Sequence, residues 1–272
     1  MLATSLALLA IVYGTGITRL WRHAGFGRGI RLFDVIAFFF GWLTLVVALS
    51  SPLDELSEQS QMAHMIQHEL LMVIAAPLVA ISLPLVAALW AMPPRMRRAA
   101  IDTASTHAVA RTWRLLTLPV SVFLLYGIAL WIWHMPALYD AALEHEPVHV
   151  VQHLCFFGTA TLFWWGIAHG RYGRVGYGAA VVYVFATAVH SGVLGALLTF
   201  SPNVWYSPYV ESHHAGTSAL EDQQLAGLLM WIPAGITFVA GGLVLFAAWL
   251  RESDKHTRFE TAVPVTTTGV NG

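Results

Sequence analysis

The chain contains seven stretches of apolar residues that are long enough to cross a lipid bilayer. A helix that crosses the hydrocarbon core needs about 20 mostly apolar residues. Charged residues make up 11% of the 272-residue chain, against about 25% in soluble domains. We therefore predict an all-α protein, a membrane bundle of seven transmembrane helices in one domain of residues 1–250. The stretches cover roughly 2–20, 32–50, 62–90, 115–133, 147–168, 176–200 and 223–250.

The third stretch is longer than one span requires, and it carries Pro77 and Pro84. Proline removes a backbone donor and clashes with the preceding helical turn. We therefore expect a kink or an early end within this stretch.

The charges of the connecting segments alternate along the chain. All 14 Lys and Arg residues flank the first, third and fifth loops or lie in the tail, and the alternate loops contain only acidic charges. Because loops rich in Lys and Arg face the cytoplasm, we predict an outer N-terminus and a cytoplasmic C-terminus. The first stretch has no basic residue before its apolar run, so we expect a retained helix and not a signal peptide. Residues 251–272 are polar and are expected to form a disordered cytoplasmic tail.

The composition also excludes several classes of function. A chain this apolar and poor in charge is not typical of disordered, coiled-coil or nucleic-acid-binding proteins, so membrane lipid is the expected surrounding and no nucleic acid is expected as a partner. The single cysteine, Cys155, excludes an internal disulfide framework and a CxxC motif.

The 13 histidines divide unevenly on the predicted topology. Four lie among arginines on the cytoplasmic side, where solvated or phosphate-facing side chains are expected. The other nine fall in the outer half of the helices or in the outer loops. The four are His23, His107, His169 and His256; the nine are His64, His68, His134, His145, His149, His153, His190, His213 and His214.

Two of the predicted helices begin with the same histidine pattern. HMIQH at residues 64–68 and HVVQH at 149–153 each place two imidazoles one turn apart on one helical face. Two neutral imidazoles in this arrangement can ligate one metal ion. Buried polar side chains in a membrane usually mark function, and this applies to His190, which lies roughly 15 Å deep. The predicted metal ligands are His64, His68, His134, His149, His153 and His190; whether they form one site or two stays open.

The residue types favour copper without fixing it. Imidazole suits zinc, copper, iron and nickel, and thioether ligands add a preference for Cu(I). Met65 and Met72 are therefore candidate accessory residues, and Asp222 is either an accessory residue or the cap of the last span. The alternatives are a haem held by two histidines, in an electron-transfer protein, and a seven-span protein without a cofactor. A zinc hydrolase is disfavoured because the residues inside both motifs include glutamine and no glutamate to serve as general base.

Several segments together resemble the CtaG family of bacterial assembly factors for the caa3-type cytochrome c oxidase. They are SPLDELS, MAHMIQHELLM, WIWHMPALYDAAL, VHVVQHLCFF and DQQLAGLLMW. The similarity spans about residues 30–250. It implies a plasma-membrane protein that acts with a subunit of cytochrome c oxidase at the stage of copper insertion and is not an enzyme. The chain differs from the single-span copper carrier that shares the family name, because it has no CxC motif.

Overall fold

The computed structural model describes residues 2–169, 176–212 and 218–262, which are mostly helical and contain no strand. In chain order the helices are α1 (Leu2–Ala24), α2 (Leu32–Ser50), α3 (Pro52–Ser57), α4 (Gln61–Glu69), a π-helical segment (Leu70–Ala75), α5 (Ala76–Ile81), α6 (Pro84–Ala91), α7 (Pro94–Ser105), α8 (His107–Leu116), α9 (Pro119–Trp133), α10 (Pro136–Glu144), α11 (Glu146–His169), α12 (Gly176–Phe200), α13 (Pro208–Ser212) and α14 (Ala219–Ala262).

The described residues contain six helices that are long and apolar enough to cross a membrane, and a seventh candidate that is bent. The bent candidate combines α8 and α9, which meet at an angle of 63°. Helix α9 alone has 15 residues, fewer than the 20 or so that a straight span needs. The prediction of a polytopic helix bundle is confirmed, with six or seven spans. The six are Ala3–Ala24, Leu32–Ser50, Gln61–Ile81, Glu146–His169, Ala180–Phe200 and Ala219–Arg251.

The third span ends early, as its prolines predict. It stops at Ile81, and Leu83 adopts a left-handed conformation with φ 55° before Pro84 opens α6. A left-handed residue with a side chain is unfavourable, so this break requires support from its surroundings. The Tyr13 hydroxyl provides part of it by donating a 2.7 Å hydrogen bond to the Ser82 carbonyl.

Helices α12 and α14 approach each other closely at two glycines. A Cβ atom on Gly227 would lie 2.5 Å from Oγ1 of Thr199 and 2.6 Å from the carbonyl oxygen of Gly195. Small residues allow helix backbones in membranes to pack at short range. This crossing fixes α14, whose first turn reaches the start of α4.

Helix α14 continues beyond the membrane span to Ala262. It therefore enters the segment that the sequence assigns to a tail, and residues 263–272 lie outside the described part of the chain.

Candidate metal centre

Four of the predicted ligands meet in one group at one end of the bundle, which we call the histidine end. One nitrogen from each imidazole lies within 4.8 Å of the others. Helices α4 and α11 each contribute one pair, because the i,i+4 spacing places both imidazoles of a pair on one helical face. The ring centroids are 4.3 Å apart within the α4 pair and 4.1 Å apart within the α11 pair. The four are His64, His68, His149 and His153, and we refer to them as the four-histidine site.

The four-histidine site suits an imidazole-binding metal ion. A tetrahedral ion with bonds near 2.0 Å holds its nitrogens about 3.3 Å apart, so the imidazoles would close by roughly 1.5 Å at most. All four residues of the group are histidines, which bind a metal ion as neutral ligands, and the group contains no carboxylate. Such a donor set fits zinc, copper, iron or nickel, and selection among them follows from geometry and supply more than from charge.

Tyr209 fixes the orientation and the tautomer of His64. Its hydroxyl group lies 2.9 Å from the Ser57 carbonyl, to which it donates, and 3.2 Å from Nδ1 of His64. Burial raises the pKa of the Tyr209 phenol, so the group stays protonated at neutral pH. Because its one proton points to the carbonyl, its oxygen accepts from the Nδ1–H of His64. The lone pair of His64 is therefore on Nε2, which has no partner among the described residues.

The other three imidazoles also have nitrogens available for a ligand. Within the described part of the chain, Nε2 of His149, Nε2 of His153 and both ring nitrogens of His68 are buried without a hydrogen-bond partner. A buried polar atom without a partner costs free energy of about 1–3 kcal/mol. Several such atoms within one group fit a set of metal ligands.

His134 lies beside the four-histidine site but outside the group. Its ring centroid is 6.4 Å from that of His68, and its Nδ1 donates to the Leu130 carbonyl at 2.7 Å. His134 directly follows α9, and burial lowers its pKa to about 4. The imidazole is therefore neutral at physiological pH, with its lone pair on Nε2.

His190 lies apart from the group. Its ring packs against Phe123 and Tyr126, at centroid distances of 5.2 and 5.9 Å, and its Nδ1 lies 3.1 Å from the Ala186 carbonyl. Gly127 leaves room for the ring, because a Cβ there would lie 3.4 Å from Nε2. The structure thus unites four of the six predicted ligands, places His134 next to them, and places His190 among aromatic side chains of α9. Of the remaining histidines that the sequence assigns to the outer side, His145 is exposed, and His213 and His214 lie outside the described residues.

Asp222 caps helix α4, and not the helix in which it lies. Its carboxylate accepts from the backbone N–H of Gln61 at 2.6 Å and from the Ser60 hydroxyl at 2.8 Å. A carboxylate at a helix N-terminus satisfies free N–H groups and complements the helix dipole. Asp222 therefore holds the helix that carries the first histidine pair, while the neighbouring Gln223 accepts from the Trp205 N–H at 2.7 Å.

The two glutamines of the HxxQH motifs are both fully buried but differ in their contacts. The side-chain amide of Gln67 donates to the Ala48 carbonyl at 2.8 Å and to the Asp54 carboxylate at 2.7 Å. Neither amide atom of Gln152 has a partner among the described residues. Among the described residues, the glutamine of the shared motif therefore makes side-chain hydrogen bonds in α4 but not in α11.

Three tyrosines that the sequence reasoning did not single out lie at the histidine end: Tyr209, described above, and Tyr139 and Tyr206. Tyr139 stacks on Tyr206 with ring centroids 3.8 Å apart and lies 5.1 Å from the His64 ring. The Tyr206 hydroxyl donates to the His134 carbonyl at 2.9 Å. Tyrosines in short segments carry no periodic signal, so only the tertiary structure reveals that they lie beside the imidazoles.

A π-helical segment follows the first histidine pair directly. It runs from Leu70 to Ala75, and the Trp164 indole donates to the Met72 carbonyl within it at 3.0 Å. π-Helical turns are rare and occur often at functional sites. Met72 lies in this segment and lines a cavity that His68 also lines.

Comparison with known proteins gives one match. A family model described as cytochrome c oxidase caa3 assembly factor matches residues 11–252, which is most of the chain. A search of the curated proteins and a search of the solved structures found no match.

Proposed function

Because the chain belongs to the family of cytochrome c oxidase caa3 assembly factors, we propose that it binds copper at the four-histidine site and assists insertion of this copper into an oxidase subunit. The copper is cargo in this function, and the protein acts as a metal-handling factor without catalysing a reaction. The observation that carries the proposal is the convergence of four imidazole nitrogens within 4.8 Å.

The chemistry of the four-histidine site suits transfer. Neutral imidazoles bind copper well, but they add no opposite charge that would hold the ion in place. A receiving subunit with thiolate or further imidazole ligands can therefore replace them one at a time. Tyr209 supports the site by orienting His64, as outer-shell partners of metal-binding histidines generally do.

The proposed orientation has the histidine end on the outer side of the bacterial plasma membrane. It has seven spans, an outer N-terminus and a cytoplasmic C-terminus. Arginines at the opposite end support it, since Arg22 lies in the last turn of α1 and α7 carries Arg95, Arg97 and Arg98. Loops rich in arginine stay in the cytoplasm. In this orientation the four-histidine site receives copper from the outer side.

The experiment that tests the function measures copper bound by the purified full-length protein. We expect the variant His149→Ala with His153→Ala to lose about one copper per chain, because two ligands of four are removed. His145→Ala is the matched control, since this exposed histidine lies at the same end but outside the group. Equal copper content in the double variant and the unsubstituted protein would refute the proposal. A Soret absorption band would instead favour the haem alternative.

A cellular measurement separates binding from delivery. Cells that express only the double variant are expected to make oxidase with reduced copper content, while cells with His145→Ala make normal oxidase. Normal copper in the oxidase of the double variant would show that the four-histidine site does not serve assembly.

A further inference from the structure

A small cavity lies next to the four-histidine site. It has a volume of about 10 Å³, which is close to the smallest volume that holds one water molecule or one ion. His68 borders both this cavity and the four-histidine site. The side chains relevant to ligand chemistry are Met65, His68, Glu69, Met72, His134 and Met230.

Residues that line the cavity carry polar atoms without hydrogen-bond partners. Both nitrogens of His68, Nε2 of His134 and Oε2 of Glu69 are buried without a hydrogen-bond partner among the described residues. His68 and His134 are each 3% exposed. Because the Nδ1–H of His134 is taken by the Leu130 carbonyl, its Nε2 offers a lone pair. A neutral imidazole carries one N–H and one lone pair, so His68 and His134 each offer one lone pair that can bind a cation.

The methionines select the class of cation. Three thioethers line a cavity of this size, on α4, the π-helical segment and α14. Thioether sulfur is a soft ligand that prefers Cu(I) over zinc and other divalent ions. Methionine is also a common gap-filler in apolar cores, but here three methionines line the same cavity as two histidines with unpartnered nitrogens, which a gap-filling role does not explain.

We propose that this cavity is a second metal site, which binds a soft monovalent cation, Cu(I), through the thioethers of Met65, Met72 and Met230 with His134 and His68. The inner site deepens the proposed function and depends on it for its biological role, but its existence is a separate question. Because a neutral imidazole has one lone pair, which either nitrogen can carry, His68 can serve one site or the other but not both at once. The four-histidine site and this softer site are therefore neighbours that share one residue, His68.

The test measures metal stoichiometry of the full-length protein in detergent micelles. Under anaerobic conditions and against a competing Cu(I) chelator, we expect two Cu(I) per chain, with copper–sulfur scattering in the X-ray absorption spectrum. Zn(II), the divalent probe, is expected to bind at one per chain, because only the four-histidine site accepts it.

The decisive variant is Met72→Leu with Met230→Leu. Volume-conserving substitutions of this kind usually cost less than about 1.5 kcal/mol, and retained zinc binding shows that the variant is folded. We expect it to bind one Cu(I) per chain and to lose the copper–sulfur signal. Met135→Leu is the control, because Met135 is 56% exposed at the histidine end and does not line the cavity.

The outcomes distinguish the two proposals. Unchanged Cu(I) stoichiometry in the double methionine variant, or no copper–sulfur scattering in the unsubstituted protein, would overturn the inner site. If His149→Ala with His153→Ala leaves zinc and copper unchanged while the methionine variant still loses one Cu(I), the four-histidine proposal fails and the inner site stands.

Discussion

The hydroxyl group of Tyr209 lies 3.2 Å from Nδ1 of His64, across 145 positions of sequence. Its own proton is directed to the Ser57 carbonyl, which makes the phenol oxygen an acceptor for the imidazole. One tyrosine in the short helix α13 thus decides which nitrogen of a histidine in α4 faces the four-histidine site.

Replacing this tyrosine is expected to weaken metal binding. Tyr209→Phe removes the acceptor that orients His64, and loss of such a partner typically lowers metal affinity by about 10–100-fold. The affinity of the purified protein for Zn(II), measured by competition with a chelator, reports this change. Tyr206→Phe is the control, because its hydroxyl bonds the backbone of His134 and not an imidazole of the group. Equal zinc affinity for both variants would contradict the orienting role.

Removing the cap of α4 is expected to lower stability. Asp222→Ala leaves the N–H of Gln61 and the hydroxyl of Ser60 without their acceptor, and loss of such a cap costs about 0.5–2 kcal/mol. Thermal unfolding in detergent should show a lower midpoint for this variant. Glu144→Ala, which removes an exposed carboxylate at the same end, should leave the midpoint unchanged. A midpoint for Asp222→Ala equal to that of the control would exclude the capping role.

The two glutamines of the repeated motif are expected to respond differently to the same substitution. Gln67→Leu leaves the Ala48 carbonyl and the Asp54 carboxylate without their shared donor, which costs about 1–3 kcal/mol. Gln152→Leu removes an amide that has no partner among the described residues, so it should be neutral or stabilising. The measurement is the unfolding midpoint of each variant, and equal destabilisation by both would contradict the structure.

The crossing of α12 and α14 is expected to tolerate no side chain larger than hydrogen at Gly227. The Cβ of Gly227→Ala would collide with backbone and Thr199 atoms, and overpacking of this kind costs roughly 1–3 kcal/mol. Gly235→Ala is a matched control in the same helix, since nothing lies within 4 Å of its added Cβ. A lower unfolding midpoint only for Gly227→Ala supports the close crossing, whereas equal midpoints would disprove it.

The histidine pairs were accessible to sequence reasoning because they depend on local geometry. The i,i+4 spacing places His64 with His68, and His149 with His153, on one face each. The charge alternation then predicts that both helices start from the same end, which brings the pairs together. The structure agrees with this local reasoning, while ligation of a metal by these residues stays a prediction.

The contacts that surround the four-histidine site could not be predicted from local spacing. Asp222 lies in the first turn of α14, where a cap of its own helix is the ordinary expectation, yet it accepts from residues of α4. His190 was predicted as a ligand because it lies deep in its predicted span, but its ring packs on aromatic side chains of α9. Both outcomes follow from how helices far apart in sequence are arranged, and no spacing rule encodes that arrangement.

The cap of α4 also sets the order in which the site can be completed during synthesis. Asp222 bonds the backbone of Gln61 from 161 positions later in the chain. When translation has passed α11, all four imidazoles are present, but the carboxylate that caps α4 and the tyrosine that orients His64 have not been made. The four imidazoles are therefore synthesised before their supports, and the contacts that hold the four-histidine site are complete only after the start of α14 has been made.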